Sequence, residues 1–388
     1  MIDAFSILFS IIICVTELTG SLWSSEGAML DRRSSFVALL FFCAFAIAAF
    51  CMSDMFLLFI FLEASSVPLY VLMFQGEQSP DAIFHFLLYA MVSALLVLVA
   101  LVLIYAETGT SSLSEICRVG AKNKWAFGLL ALGIAIKIPV FPFYSWLPIA
   151  HVKTKTVCSV LLASVVLKFS SLLLLRLVAQ LFMEIVLEQR ELIATMVVVS
   201  AVFATLQLVR QTDLKRAFAY FSIIHMNLSL LIFFSGVDQR YFIFSLMYHS
   251  VLMAVLFFTS DLVARAYGTR EIPELKQMKI EHQELRDVIL LAFLSLVSVP
   301  CSWGFASEIL MVKAAVEISG VCAVTVIAVM LASSAYAVHI YASCFARWGA
   351  SENAGCHSGG AVNRYILLSL LVAVFAVGIC PDVILRWF

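Results

Sequence analysis

Four ionisable residues stand inside stretches of sequence that are otherwise apolar: Glu63, Lys137, Lys168 and Glu308. An ionised side chain at the centre of a bilayer costs about 2.5–3.5 kcal/mol on insertion scales, so such groups face water or protein and tend to mark an ion path. Two acids and two bases form a set suited to moving protons. Burial disfavours the charged form of a lysine, and a nearby carboxylate restores it. A buried lysine with a movable acidic partner is therefore a proton site that can be switched. The competing reading is a static buried pair, with Glu63 and Lys137 its natural members, which is weak evidence for anything more.

Histidines extend the set. His225 and His249 lie in apolar runs, and His151 closes one. Imidazole accepts a hydrogen bond on one nitrogen and donates on the other, which suits proton relay. The plainer reading, a satisfied structural group, is kept for His85 and His339. His282 and His357 stand in polar segments and read as solvated.

The elements that must hold these residues are membrane helices. Of 388 residues, 63% are hydrophobic and 13% charged, and the mean hydropathy is +1.05. Soluble domains are nearer half apolar and a quarter charged, so a water-soluble enzyme is excluded. Disorder, which needs few apolar residues, is excluded too. Roughly 20 apolar residues cross a bilayer as a helix. On that scale the chain reads as about twelve spans, near 2–22, 35–52, 54–74, 82–106, 125–149, 156–177, 191–209, 216–235, 241–265, 288–315, 319–345 and 363–386. Short alternating strands are absent, so the prediction is an all-α polytopic bundle rather than a barrel. The chain reads as one membrane domain over residues 1–388. Its first apolar run, with Asp3 and Glu17 and no basic flank, does not read as a signal peptide.

Two spans are expected to be broken. AIKIPVFPFYSWLP places Pro139, Pro142 and Pro148 just after Lys137, and VSVPCSWGFASEIL places Pro300 and Gly304 just before Glu308. Proline removes a helix donor, and broken helices in membranes line cavities or bury against protein. Each predicted break therefore adjoins an ionisable residue.

If every span crosses, the loops on one face hold 14 of the 24 Lys and Arg and those on the other hold 8, with Lys137 and Lys168 in mid-span. The bias puts the richer face on the cytoplasmic or matrix side and both termini opposite. A net charge of −1 gives no argument for nucleic acid. Ten cysteines form no CxxC pair. Cys14, Cys43, Cys51, Cys158, Cys301, Cys322 and Cys380 adjoin apolar runs and read mostly as small buried hydrophobes. Cys356-His357 is too little for a metal site, so no metal is expected.

AIKIPVFPFYSWLPIAHV, SVLLASVVLK and RQTDLKRAFAYFSIIHMNLSLL resemble the signature stretches of the antiporter-like subunits of respiratory complex I. The resemblance runs from about residue 34 to the end. It implies two inverted five-helix repeats with flanking helices, and proton translocation coupled to NADH:ubiquinone oxidoreduction. By that resemblance Glu63, in FLEASSVP, is the acid of the first half-channel and Lys137 its partner. Lys168 is the lysine of the central axis. His225 and His249 are relay histidines, His151 lies near the same axis, and Glu308 is the terminal acid. Members called subunits 2 and 5 typically carry lysine at the position matched to Glu308, and they would be this chain's neighbours along with other membrane-arm subunits and lipid.

No cofactor is expected in the chain itself. NADH, FMN, iron–sulfur clusters and ubiquinone would belong to other subunits. The implied location is the mitochondrial inner membrane, with both termini on the intermembrane-space side. A subunit of a multisubunit cation/proton antiporter is the alternative, since it shares these motifs. Three departures stand out: KTKTVCS where the family often has EAPTAGS, LKFSSLL where it often has LKLGGYG, and Tyr144 where histidine is common. The family has four spans before the one matched to Glu63 and this chain has two, so lipid or a foreign helix is expected in the vacated position.

Overall fold

The computed structural model describes residues 4–25, 32–74, 80–278, 283–346 and 361–386. His282, Cys356 and His357 lie outside the described residues. Among those described, every regular element is a helix, apart from two isolated β-bridges. Among the described residues, nine helices are long and apolar enough to cross a membrane. The two broken helices and the shorter Ala361–Ile379 account for the remainder of the twelve expected spans.

The chain divides into two compact units, Met1–Ile193 and Ala194–Phe388. In the first, α1 (Ala4–Ser25), α2 (Arg32–Cys51), α3 (Met55–Phe74) and α4 (Pro80–Thr108) are followed by the short α5 (Leu113–Val119). A broken pair, α6 (Lys124–Lys137) and α7 (Trp146–Lys153), comes next and packs on α4. Thr156–Leu181 then runs as α8 (Thr156–Leu161), α9 (Leu167–Leu173) and α10 (Ala179–Leu181), separated by π turns at Leu162–Val166 and Leu174–Val178. The short α11 (Met183–Glu188) leads to α12 (Arg190–Leu208).

In the second unit α13 (Leu214–Phe234) and α14 (Gln239–Tyr267) form a hairpin, followed by the short α15 (Ile272–Leu275). The second broken pair is α16 (Gln283–Leu296) and α17 (Trp303–Ile318). Then come α18 (Gly320–Cys344), α19 (Ala361–Ile379) and α20 (Asp382–Leu385).

The two units repeat one order of elements. In the first, Asp54 caps α3, and the backbone just before α3 pairs with residues 111–113 (Met55 N to Ser111 O, 3.0 Å; Leu113 N to Ser53 O, 2.9 Å). In the second, Asp213 caps α13, and the same exchange joins it to residues 270–272 (Leu214 N to Arg270 O, 3.0 Å; Ile272 N to Thr212 O, 2.6 Å). The trailing halves of both broken helices open on Ser-Trp, at Ser145-Trp146 and Ser302-Trp303, and His151 and Glu308 each follow their Trp by five positions.

Burial separates interior helices from lipid-facing ones. Thr156–Leu181 is 94% buried, α13 100% and α14 94%, against 33% for the spanning part of α4 and 28% for α18. Helices that are apolar all round can face either lipid or protein, so composition does not sort them. The buried helices carry many small polar residues, Ser159, Ser164, Ser170 and Ser171 in the first unit and Ser222, Asn227, Ser229, Ser245 and Ser250 in the second, as is common between packed membrane helices. The same ambiguity corrects the cysteine reading. Only Cys158 and Cys322 of the seven are buried, while Cys14, Cys301 and Cys380 are exposed, because a lipid-facing surface is as apolar as a core.

Two further readings change. Pro148 does not break a helix; it lies in the first turn of α7, where a missing N–H costs nothing. Gly304 is not part of the second break but the second residue of α17.

Candidate functional site

In the first unit the interior charges meet at the break. Lys137 is the last residue of α6, and its Nζ lies 2.5 Å from Glu63 Oε1 on α3. The lysine is nearly buried and the carboxylate partly so, with side-chain exposures of 8% and 26%. A cation at a helix C-terminus also meets the negative end of the helix dipole. The helix stops there because Pro139 has no N–H to continue it; Val140 N reaches back to Ala135 O instead. One carbonyl left over at the end of α6, that of Ile136, accepts from Trp146 Nε1 at 3.0 Å, which ties the two halves together across the gap. The missing side chain of Gly133 lets α6 approach α4: a Cβ there would sit 2.8 Å from Val97. Ser93 Oγ donates to Gly133 O at 2.7 Å along the same contact. A small cavity beside the pair is lined by Lys137, Ser66, Tyr89 and Trp146 among others.

Lys168 is fully buried on α9, and its Nζ donates to Ala163 O at 2.6 Å. Ala163 lies in the π turn Leu162–Val166, where the widened helix turn alters the pairing of backbone carbonyls. His151 is fully buried on α7, and Ser159 Oγ donates to its carbonyl at 3.2 Å.

In the second unit α14 presents Ser245, Tyr248 and His249 to its neighbours. His249 Nε2 lies 3.1 Å from Ser222 Oγ on α13. His225 is buried and packs edge-on against Tyr248, ring centroids 6.1 Å apart. Three fully buried hydroxyls link α13, α14 and α17: Ser307 Oγ donates to Ser245 Oγ at 2.8 Å, and Ser245 Oγ lies 2.8 Å from Ser229 Oγ. Glu308 follows Ser307 on α17 and is partly buried. Its carboxyl accepts from the Ser298 hydroxyl.

Ser298 lies in the break between α16 and α17, which is strained. Ser298 and Cys301 have positive φ (56° and 71°) without being glycine, at a cost of about 1–3 kcal/mol each. Close packing over-determines this turn. A Cβ on Gly378 of α19 would come within 2.2 Å of the Ser302 carbonyl carbon and 2.3 Å of Cys301 O. Gly378→Ala must therefore displace backbone, an overpacking cost of about 1–3 kcal/mol or more. We expect it to cut the amount of assembled complex on a native gel about fivefold or more; wild-type abundance would contradict the packing described.

The structure thus brings Glu63 and Lys137 together, and Glu308 with Ser298. His225 and His249 share the α13–α14 interface, and His151 and Lys168 are buried within the first unit. His85 and His339 are exposed. The sequence reading missed Ser222, Tyr248, Ser298 and Trp146. The repeated Ser-Trp pair could have flagged Trp146, and the i, i+3 spacing of Ser222 and His225 could have flagged Ser222. Among the described residues no group of three or more His, Cys, Asp and Glu could hold a metal ion.

A membrane protein whose described residues form helices, with two broken spans, one ending on a lysine–glutamate pair and the other preceding a partly buried glutamate, is of the class that moves ions across a bilayer. Residues 52–333 match the family described as NADH:quinone oxidoreductase/Mrp antiporter, transmembrane, and the chain belongs to that family. It is 26% identical over 99% of its length, and 80% of the relative's, to NADH-ubiquinone oxidoreductase chain 4 of Metridium senile. It is 29% identical over 84% of its length, and 65% of the relative's, to NADH-quinone oxidoreductase subunit M of Rickettsia felis. The fold matches a chain of respiratory complex I from Thermus thermophilus with a TM-score of 0.89 and 23% identity, covering 99% and 83% of the two chains. It also matches a chain of the Mrp complex from Dietzia sp., with a TM-score of 0.87 and 19% identity, covering 99% and 82%. At those identities the two structures speak for the fold alone.

Proposed function

We propose that this chain is a proton-translocating membrane-arm subunit of respiratory complex I, of the chain 4 or subunit M type. The observation that carries the reading is the Glu63–Lys137 pair closing a broken helix inside an apolar unit. Its chemistry is proton transfer. With Glu63 near, Lys137 holds its proton; when the carboxylate moves away, the field that favours the ammonium weakens and the proton can pass on. Lys168 is the next acceptor, and His151, buried in the same unit, joins the path. His225, His249 and Glu308 serve the second unit, with Glu308 the terminal acid that exchanges with the far side. The whole chain, 1–388, acts as one antiporter-like domain.

Electron transfer then belongs to other subunits, which hold NADH, FMN, iron–sulfur clusters and ubiquinone. The neighbours are the antiporter-like subunits 2 and 5 and lipid. The membrane is the mitochondrial inner membrane, with both termini on the intermembrane-space side; the 14:8 Lys and Arg bias supports that orientation. Relatives named for NADH oxidoreductases favour complex I over a cation/proton antiporter. Purifying the intact complex through this chain separates the two. Redox subunits by mass spectrometry and NADH-driven proton uptake are expected. Sodium-dependent exchange without NADH oxidation would overturn the reading.

Lys153 and Lys155 stand outside the path. Lys153 is exposed and Lys155 partly so, beside the end of α7. Replacing both with Gln should leave NADH-driven pumping within about twofold, as for a surface change of under about 0.5 kcal/mol. A tenfold loss would place them in the path.

A further inference from the structure

We propose that Tyr248 is a positioning residue for the Glu308 carboxyl, clamping the strained turn that carries Ser298 so that the Ser298 hydroxyl stays aimed at Glu308. The inference rests on Glu308 acting in proton transfer.

Tyr248 is fully buried on α14, a different helix from those it holds. Its phenol donates to Ser295 O at 2.7 Å, and the same oxygen lies 3.5 Å from Ser298 Oγ. The Ser295 carbonyl lies where the regular pairing of α16 is lost: Val299 N, its partner in an unbroken helix, bonds to Leu294 O instead. The phenol therefore supplies a strong donor to a carbonyl that the break has left with only the 3.3 Å contact from Ser298 N, and a buried acceptor needs one. The contact pins the turn three residues before Ser298, where the backbone stands at φ 56° and has reason to relax.

The space around the phenol is fitted to it. A Cβ on Gly304 would lie 2.4 Å from Tyr248 Oη and 2.5 Å from Ser298 Oγ, so the glycine leaves the space in which the two hydroxyls sit side by side. The Tyr248 ring is held between Trp303, 6.3 Å away, and His225, 6.1 Å away. One side chain thus touches a relay histidine on one side and orders the hydrogen-bond donor to Glu308 on the other. Ser307, next to Glu308, is tied separately to α14 through Ser245. The glutamate is thereby fixed from two directions.

Tyr248→Phe keeps the ring and deletes the donor. Ser298→Gly deletes the other hydroxyl and also relieves the positive φ, so it folds even where the first variant does not. The probe is dicyclohexylcarbodiimide, an apolar reagent that couples to protonated carboxyls. It is applied to the intact complex, with labelling of Glu308 followed by peptide mass and with protons pumped per NADH measured in parallel. Each variant is expected to change the rate of Glu308 labelling by about threefold or more, the scale of one lost hydrogen bond, and to lower the pumping ratio. The double variant should add little, since both changes act through one contact. Wild-type labelling and pumping in both variants, while Glu308→Gln impairs pumping, would overturn the positioning role alone. Normal pumping by Glu308→Gln would overturn the role of Glu308 itself and this inference with it.

Discussion

Lys137→Met is expected to leave the complex assembled and to lower NADH-driven proton translocation by about tenfold or more, the low end of what a positioned proton-transfer group contributes. Methionine has the length and apolar surface of the lysine stem, so the packing at the end of α6 survives. What disappears is the amine that carries the proton and passes it on. The substitution also strands Glu63, which loses a partner 2.5 Å away. Removing one member of a buried pair is costly because the other charge is left uncompensated, but at 26% side-chain exposure the carboxylate can take up a proton or a water. Glu63→Gln tests the same contact from the other side. The amine remains and can still carry a proton, so a smaller loss than in Lys137→Met is expected. Pumping is measured as acidification in vesicles against NADH oxidation in the same sample. Normal pumping by assembled Lys137→Met complex would leave the pair a static structural contact.

Glu308→Gln is expected to have the next largest effect, and Glu308→Asp a smaller one. Glutamine is isosteric and can still accept from the Ser298 hydroxyl, so the turn between α16 and α17 should hold. The group that binds and releases a proton is lost. Aspartate restores that chemistry on a stem shorter by one methylene, which lengthens the contact to Ser298. Proton-transfer distance matters steeply, so partial activity is the expected result. The ordering separates function from packing: a structural role would make the isosteric Gln the milder change. Assembly checked on native gels and pumping per NADH decide it. Gln and Asp behaving alike, and like the wild-type protein, would give Glu308 a structural role.

What could be read from the sequence follows from how membrane proteins are built. Charges at Glu63, Lys137, Lys168 and Glu308 stand out because the sequence around them is mostly apolar, and prolines at 139, 142 and 300 mark the two breaks. The Glu63–Lys137 pair was legible from the opposite charges and the family resemblance, not from spacing. Glu63 and Lys137 are separated by 74 positions, and no periodicity connects them. Gly304 was visible as a glycine but its reason was not: it makes room for the Tyr248 phenol. The π turns around Lys168 left no mark, since LASVV and LLRLV would serve equally in a regular helix. Cysteines were misjudged because an apolar neighbourhood describes the lipid face as well as the core.

The most direct measurement is the number of protons taken up per NADH oxidised by the purified complex in sealed vesicles, with both fluxes recorded together. It compares the native chain with the variant carrying Glu63→Gln and Lys137→Met together. The account predicts that the variant assembles with its redox subunits and that its proton yield per NADH, or its coupled turnover, falls well below the native value. An assembled variant with native proton yield and native coupled turnover would contradict it.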